Sequence, residues 1–363
     1  MIRFVTFGEI MVRLAPPGHL RLAQAVPGQL DVTFAGAEAN VAASLAMMGA
    51  EARYVTALPK NPLADGCLAA LRALGIDTRH VLAVDRGRLG IFVVETGANQ
   101  RPSRVIYDRD YSAISLTPPD EYQWESAFDG AGWLHVSGIT PALSQHAANA
   151  TIAAVQRGKA AGLTVSCDLN FRAKLWRWEQ GTGTQELAGR TMRKVLPHVD
   201  VLIANEEDCS DVLDIHAGQS DVQAGSIDVE AYPHVARKVV KEFSNLRMVA
   251  TTLRQSVSAS HNNWGAMLFD VDADRAYFAP EQNGEYRPYE MRNIVDRVGG
   301  GDSFAAALMF ALNGEKYAAP PDAVRFAAAA SCLAHSIVGD FNFSSSGEIE
   351  ALAGGAVTGR VVR

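Results

Sequence analysis

The chain has 363 residues, room for one large domain or two ordinary ones, and 48% of them are apolar, enough for a sizeable core. Its net charge is -7 with no basic run or stripe, which argues against a nucleic-acid partner. Cys67, Cys167, Cys209 and Cys332 stand far apart with no Cys-x-x-Cys pair, as expected of buried free thiols in a reducing compartment. The first residues read as a strand rather than a signal peptide, and no apolar stretch reaches transmembrane length. The expectation is a cytoplasmic protein with no membrane partner.

In chain order, residues 4–7 form a short apolar strand ending at Gly8-Glu9, and 10–14 alternate weakly before the turn Pro16-Pro17-Gly18. Residues 19–34 are polar without helical period and read as a half-exposed β-ribbon. Residues 36–49 form a helix of mostly small residues, with Val41, Leu45 and Met48 on one face. A strand at 52–58 and a helix at 63–74 follow. Residues 90–95 and 103–107 make a hairpin across the polar turn 96–99. From residue 131 onward, strands at 133–137, 163–168, 199–204 and 248–253 alternate with helical segments such as 145–161. That spacing predicts βαβ units, hence an α/β fold with a mostly parallel sheet covered on both faces. A second hairpin at 266–271 and 275–278 precedes helices at 303–312, 321–338 and 348–353. Segments 179–190 and 214–231 are rich in polar residues and read as surface insertions. The pieces at about 10–34 and 90–112 interrupt the α/β pattern and would form a small β lid on a single domain spanning 1–363. The exposed edge of such a ribbon offers a surface for a homodimer through strand pairing.

The chain is organised around Asp296-Arg297-Val298-Gly299-Gly300-Gly301-Asp302, which opens directly onto an apolar helix. A glycine turn at a helix start aims backbone N–H groups at one spot, and the helix dipole makes that spot attractive to an anion. Asp302 is either an N-cap or a carboxylate with chemical work, taking the proton from a hydroxyl that attacks phosphorus. No P-loop, dinucleotide fingerprint or nucleophile elbow is present, and the nine histidines show no metal-ligand spacing. What remains is polar groups at predicted strand ends: Asp168-Leu169-Asn170-Phe171-Arg172, Asn205-Glu206-Glu207-Asp208 and Thr251-Thr252-Leu253-Arg254. Open α/β sheets bind ligands at those ends. The oxygen-rich cluster at Asn205 and Asp208 suits Mg²⁺ held through water. Arg109 and Arg172 are either clamps for an anionic substrate or ordinary salt bridges. Tyr107 shares a strand face with Arg109.

Two motifs carry a resemblance. Gly36-x-x-x-Asn40-x-Ala42-x-x-Leu45-x-x-x-Gly49 and Asp296-x-x-Gly299-Gly300-Gly301-Asp302 resemble the two signatures of the ribokinase-like (PfkB) sugar kinases. Gly300 stands where that family usually has alanine, and Asp208 where its Asn-x-x-Glu motif has glutamate. The resemblance implies a ribokinase-like fold and ATP-dependent phosphorylation of a sugar hydroxyl with Mg²⁺. It implies that Asp302 is the general base and that Gly299, Gly300 and Gly301 form an anion hole. Gly36 and Asn40 would touch the sugar. Asn205, Thr252, Arg254, Gly299, Gly301, Ala330 and His335 would border the nucleotide.

Within the family the chain is most similar to 2-keto-3-deoxygluconate kinases. The likeness rests on Tyr107-x-Arg109, Asp168-x-Asn170-x-Arg172-x-Lys174-Leu175-Trp176, Asp296-Arg297-Val298 and Gly339-Asp340-Phe341-Asn342. It implies that Tyr107, Arg109 and Arg172 hold the acidic end of the sugar, with Asn170 in the same substrate set. The rival expectations are a kinase of a neutral ketose or pentose such as fructose or ribose, a nucleoside kinase, and a non-catalytic sugar or nucleotide sensor. Residues 256–264 read as a loop near the nucleotide side, without a further role.

Overall fold

Each central strand feeds two hydrophobic cores, because alternate side chains leave opposite faces of the sheet. In the first strand, Val5 and Phe7 enter one core and Phe4 the other. Leu134 and Val136 part from Trp133 in the same way, as Leu202 does from Val201 and Ile203. Burial on both faces is why these strands read as nearly continuous apolar runs rather than alternating ones. The structure, a computed structural model, describes residues 2–216, 229 and 231–356.

Among the described residues the main sheet has nine strands. Six neighbours are parallel, in the order Met248–Ser258, Val201–Ile203, Thr164–Asp168, Ala131–Ser137, Arg3–Phe7, Glu51–Val55. His261–Asp270, Arg275–Ala279 and Tyr289–Met291 extend it as antiparallel strands beyond Met248–Ser258. The chain leaves Arg3–Phe7 toward Glu51–Val55 and later returns on its other side at Ala131–Ser137. The order therefore reverses beside the first strand, which is the place where such sheets open a crevice. The helices Gln145–Ala160, Thr184–Val195 and Ala231–Glu242 contribute to one core, and Ala37–Met47, Gly300–Asn313 and Pro320–Ala334 to the other. Ala39, Ala42 and Ala43 are fully buried, so the small residues let the Ala37 helix pack closely on the Gly300 helix. No described helix is long and apolar enough to cross a membrane.

The segments expected to form a lid pair into one separate sheet. Its four strands run Asp31–Ala35, Met11–Ala15, Gly90–Glu95, Arg104–Asp108. Met11, Ala35, Phe92 and Val94 form its own small core. Residues 19–34 are only partly ribbon: Leu22–Ala25 is one helical turn before Asp31–Ala35.

Three further expectations need correction. Segment 179–190 is not an insertion throughout, because Thr184–Val195 is an amphipathic helix with Leu187, Ala188, Met192 and Val195 fully buried. The polar residues around Thr182 and Gln185 mask a helical spacing that only emerges downstream. Residues 256–264 are not a loop but the extended tip of the hairpin between Met248–Ser258 and His261–Asp270. The helix expected at 321–338 ends at Ala334. Most of the expected 214–231 insertion lies outside the described residues. Ala231–Glu242, which follows it, is a helix that the sequence reading does not assign.

Leu187→Ala is expected to lower unfolding stability by about 2–5 kcal/mol. Urea unfolding checks it, and a loss below about 1 kcal/mol would return the helix to the surface.

Candidate active site

The glycine turn is built before it is used. Asp296 Oδ1 accepts the N–H of Arg297 at 2.7 Å and of Val298 at 3.2 Å, folding the chain back on itself. Gly299 follows with φ 85°, and a Cβ there would sit 2.2 Å from the carbonyl oxygen of Asp340. Only glycine meets both conditions. The helix Gly300–Asn313 then starts without any side-chain cap. Its first N–H groups, on Gly300, Gly301 and Asp302, have no acceptor within the helix and line a cavity of about 640 Å³. A Cβ on Gly301 would meet nothing within 4 Å.

Asp302 is the third helical residue, so it is not the cap. Its Oδ2 accepts the side-chain N–H of Asn40 at 2.7 Å. Asn40 is held in turn, its Oδ1 accepting the Gly36 N–H at 3.2 Å. Gly36 must be glycine, since a Cβ would lie 1.9 Å from the Glu9 carbonyl oxygen. Burial pushes Asp302 up to about 6, opposed by the Asn40 hydrogen bond and the Arg172 charge. The carboxylate is therefore ionised at neutral pH and a better base than an exposed aspartate.

The strand ends supply the rest of the floor. Asn170, at φ 37°, turns the chain after Asp168, whose Oδ1 accepts the Asn170 N–H at 3.1 Å. Burial, with Asp208 and Asp302 nearby, drives Asp168 well above the usual carboxylate range. Asn205 and Asp208 form a reciprocal cap on the helix Glu206–Leu213. Asn205 Oδ1 accepts the Asp208 N–H at 2.7 Å, and Asp208 Oδ2 accepts the Asn205 N–H at 3.3 Å. Asp208 Oδ1 takes the Phe171 N–H at 2.9 Å, tying this helix to the Arg172 segment. The pair expected to bind metal thus acts first as a cap. Among the described residues, no group of three or more His, Cys, Asp or Glu is placed to hold a metal ion.

The two arginines differ. Arg109 is buried and committed to Glu9, its Nε 2.8 Å from Glu9 Oε2. Its guanidinium also lies 5.3 Å from the centroid of the Tyr107 ring, which stacks on Phe92. Arg172 is exposed, bonds only the Phe171 carbonyl at 2.9 Å, and makes no salt bridge among the described residues. Tyr107, Arg109, Asn170 and Arg172 all line the cavity, with Gly36 and Asn40.

On the other side, Thr252, Arg254, Asn205 and His335 line the same cavity, and Ala330 does not. Ala330 is buried in the Pro320 helix, and its carbonyl accepts the Asn342 side-chain N–H at 3.0 Å. His335 donates from Nδ1 to the Ser331 carbonyl at 2.7 Å, and its ring lies against Trp264 and under Gly300. Glu9, Glu207, Trp264 and Asp340 also line the cavity and are not among the expected site residues. Glu207 and Asp340 stand inside motifs noted above, Trp264 ends the 256–264 segment, and Glu9 directly follows the first strand.

The hairpin tip at 258–262 acquires a role. Arg297 donates to the carbonyls of Ser258 and Ala259 and to Asn262 Oδ1. Ala259 N–H donates to the lid residue Asn99 at 2.7 Å, and Asn99 N–H to Ser260 Oγ at 3.0 Å. The glycine turn, hairpin and lid are therefore stapled together.

Gly299→Ala should lower stability by at least about 1–3 kcal/mol through its positive φ, whereas Gly301→Ala should change it by less than about 0.5 kcal/mol. Thermal unfolding of both variants checks the contrast, and equal losses would refute the turn geometry.

Comparison with known proteins gives the family and the fold. The pfkB family carbohydrate kinase pattern matches residues 1–343. The solved 2-dehydro-3-deoxygluconokinase of Thermotoga maritima is 44% identical, covers 98% of this chain and 100% of its own, and superposes with a TM-score of 0.87. The 2-dehydro-3-deoxygalactonokinase of Haloferax volcanii is 31% identical over 98% of either chain. A fructokinase of Xylella fastidiosa, solved with bound ATP, is 19% identical over 96% of this chain and 97% of its own, with a TM-score of 0.72, a likeness of fold. With a buried carboxylate beside an uncapped helix start and a family match over residues 1–343, the chain belongs to the pfkB family of carbohydrate kinases.

Proposed function

We propose that the protein is a 2-dehydro-3-deoxygluconokinase, transferring the γ-phosphoryl group of ATP to the terminal hydroxyl of 2-keto-3-deoxygluconate. The observation that carries the kinase reading is Asp302, a buried carboxylate fixed by Asn40 beside three unpaired backbone N–H groups. The sugar oxygen forms its bond to the γ-phosphorus as its proton passes to Asp302. The bond to the bridging oxygen breaks, and ADP leaves with that electron pair. The N–H groups of Gly300, Gly301 and Asp302, the first three of the helix, receive the charge on the transferred group, in place of the expected set Gly299, Gly300 and Gly301, because Gly299 is the residue before the helix and supplies its positive-φ turn.

The acid end of the substrate is matched by Arg172, whose exposed guanidinium makes no salt bridge among the described residues although its charge reaches Asp302, Asp168 and Asp208. Arg109 contributes differently. Neutralised by Glu9, it orients Tyr107 on the lid rather than offering a free charge. A neutral sugar would leave Arg172 without a counterpart. The names of the two relatives differ only at the sugar's C4 stereochemistry, so the galactonate epimer belongs in the same test. Mg²⁺ would offset charge on the nucleotide phosphates, held through water by Asn205 and Asp208, whose oxygen donors suit it. The lid, stapled through Asn99, limits access of water to the phosphoryl group.

Asp302→Asn is expected to reduce turnover by about 100- to 10,000-fold without unfolding the protein. A near-normal rate would remove Asp302 as the base. Because protonation disables the base, kcat/KM should be flat above pH about 6 and fall about tenfold per unit below it. A flat profile down to pH 5 contradicts that assignment.

Arg172→Ala should raise KM for the keto-deoxy acid at least about tenfold and change kcat little. A coupled ADP-release assay over 2-keto-3-deoxygluconate, its galactonate epimer, gluconate, fructose, ribose and adenosine checks the substrate. Turnover confined to fructose or ribose would keep the kinase and discard the role of Arg172.

A further inference from the structure

Arg13 stands on the lid strand Met11–Ala15, outside every motif noted above. Its guanidinium leaves the lid and forms salt bridges to Asp296 and Asp340 together. Side-chain exposure is 3% for Arg13, 6% for Asp296 and 3% for Asp340, so the triad is effectively dry. Such a triad is a poor source of stability, because desolvating three charges offsets most of their attraction. What the fork provides is geometry: its donors are planar and cannot be deprotonated.

The geometry it fixes is that of the glycine turn. Asp296 Oδ1 holds the N–H groups of Arg297 and Val298, and Oδ2 takes the Gly339 N–H at 3.2 Å. Asp340 presses its backbone carbonyl against Gly299, at the point where a Cβ would collide. Asp296 thus grips the turn through its carboxylate and Asp340 abuts it through its backbone carbonyl, while Arg13 binds the carboxylates of both. Without it, two buried carboxylates would face each other. Burial already pushes Asp340 up to about 7, against the pull of Arg13.

We propose that Arg13 is a positioning residue for phosphoryl transfer: it locks Asp296 and Asp340 so that the N–H groups of Gly300, Gly301 and Asp302 converge on the transferred group. The proposal rests on the reading of this site as a kinase centre. Arg13 does not line the main cavity. It lines a neighbouring hollow of about 310 Å³, between the lid and the segment before the turn. A small cation from solution can therefore reach the space that a truncated side chain would leave.

The test uses the full chain with Arg13→Ala and Arg13→Lys, and reads kcat, both KM values and thermal unfolding. For folded Arg13→Ala, kcat should fall at least about tenfold while KM for the sugar acid stays within about threefold. Guanidinium chloride at low millimolar concentration should restore part of kcat, and sodium chloride at equal concentration should not. Arg13→Lys keeps the charge but loses the fork, and should show the same kcat defect in milder form. If Arg13→Ala does not fold, Arg13→Lys carries the test. An unchanged kcat in either folded variant, or a defect confined to the sugar KM, overturns the proposal. Calorimetric binding of orthovanadate, a phosphoryl mimic, reads the turn without turnover. A tenfold weaker affinity in the variant supports the proposal even if the wild-type chain is silent on every sugar, and equal affinity refutes it. Silence of the wild-type chain alone counts against the kinase reading.

Discussion

A carboxylate and a phosphate repel, yet the site must hold both within reach of one hydroxyl. Most of the local structure answers that constraint. The unpaired N–H groups at the start of the Gly300 helix line the cavity, and the Asp302 carboxylate leaves the same turn. Asn40 donates to Asp302 from another helix, so the carboxylate keeps its orientation without losing its charge. Burial raises its proton affinity, while Asn40 and Arg172 stop it from becoming neutral. Any one of these effects alone would leave either an inert acid or a carboxylate too weak to act as a base.

Positive charge is supplied at graded distances. Arg172 is exposed to the cavity and open to a ligand. Arg109 is in the cavity wall but spent on Glu9. Arg13 lies behind the turn, spent on two carboxylates. Arg297 is spent on hairpin carbonyls and Asn262. Arg109, Arg13 and Arg297 are thus spent on internal partners, whereas Arg172 and Arg254 are exposed and line the cavity. Counting arginines near a site would misjudge its charge, because a guanidinium already paired with a buried carboxylate presents little net field.

The lid is more than a cover. One of its strands carries Arg13 to the back of the glycine turn, and its Asn99 turn bonds the tip of the hairpin that Arg297 grips. Sugar-side and turn-side elements are therefore joined by two separate bridges. Movement of the lid would be felt at the turn through packed, discrete contacts rather than through flexible chain.

The sequence by itself determined the fold class and marked the glycine turn as a candidate site, because each has a local cause. Near-continuous apolar strands spaced by helices specify a covered parallel sheet, and a glycine turn opening a helix specifies an anion site wherever it lies. Asp302 was legible beside that turn as either a cap or a base, and Gly36 and Asn40 through the resemblance of their motif to a family signature. The helix Thr184–Val195 was hidden, since its polar first turn resembles a loop until burial shows which face is inside. The hairpin tip at 258–262 read as a loop because its partners, Asn99 and Arg297, are distant in the chain. The partners of Arg109 and Arg13 belong to tertiary structure alone. Glu9 is 100 residues from Arg109, and Asp340 is 327 from Arg13. No periodicity or motif records which carboxylate a guanidinium will meet, so only the folded chain decides which arginine stays free for a substrate.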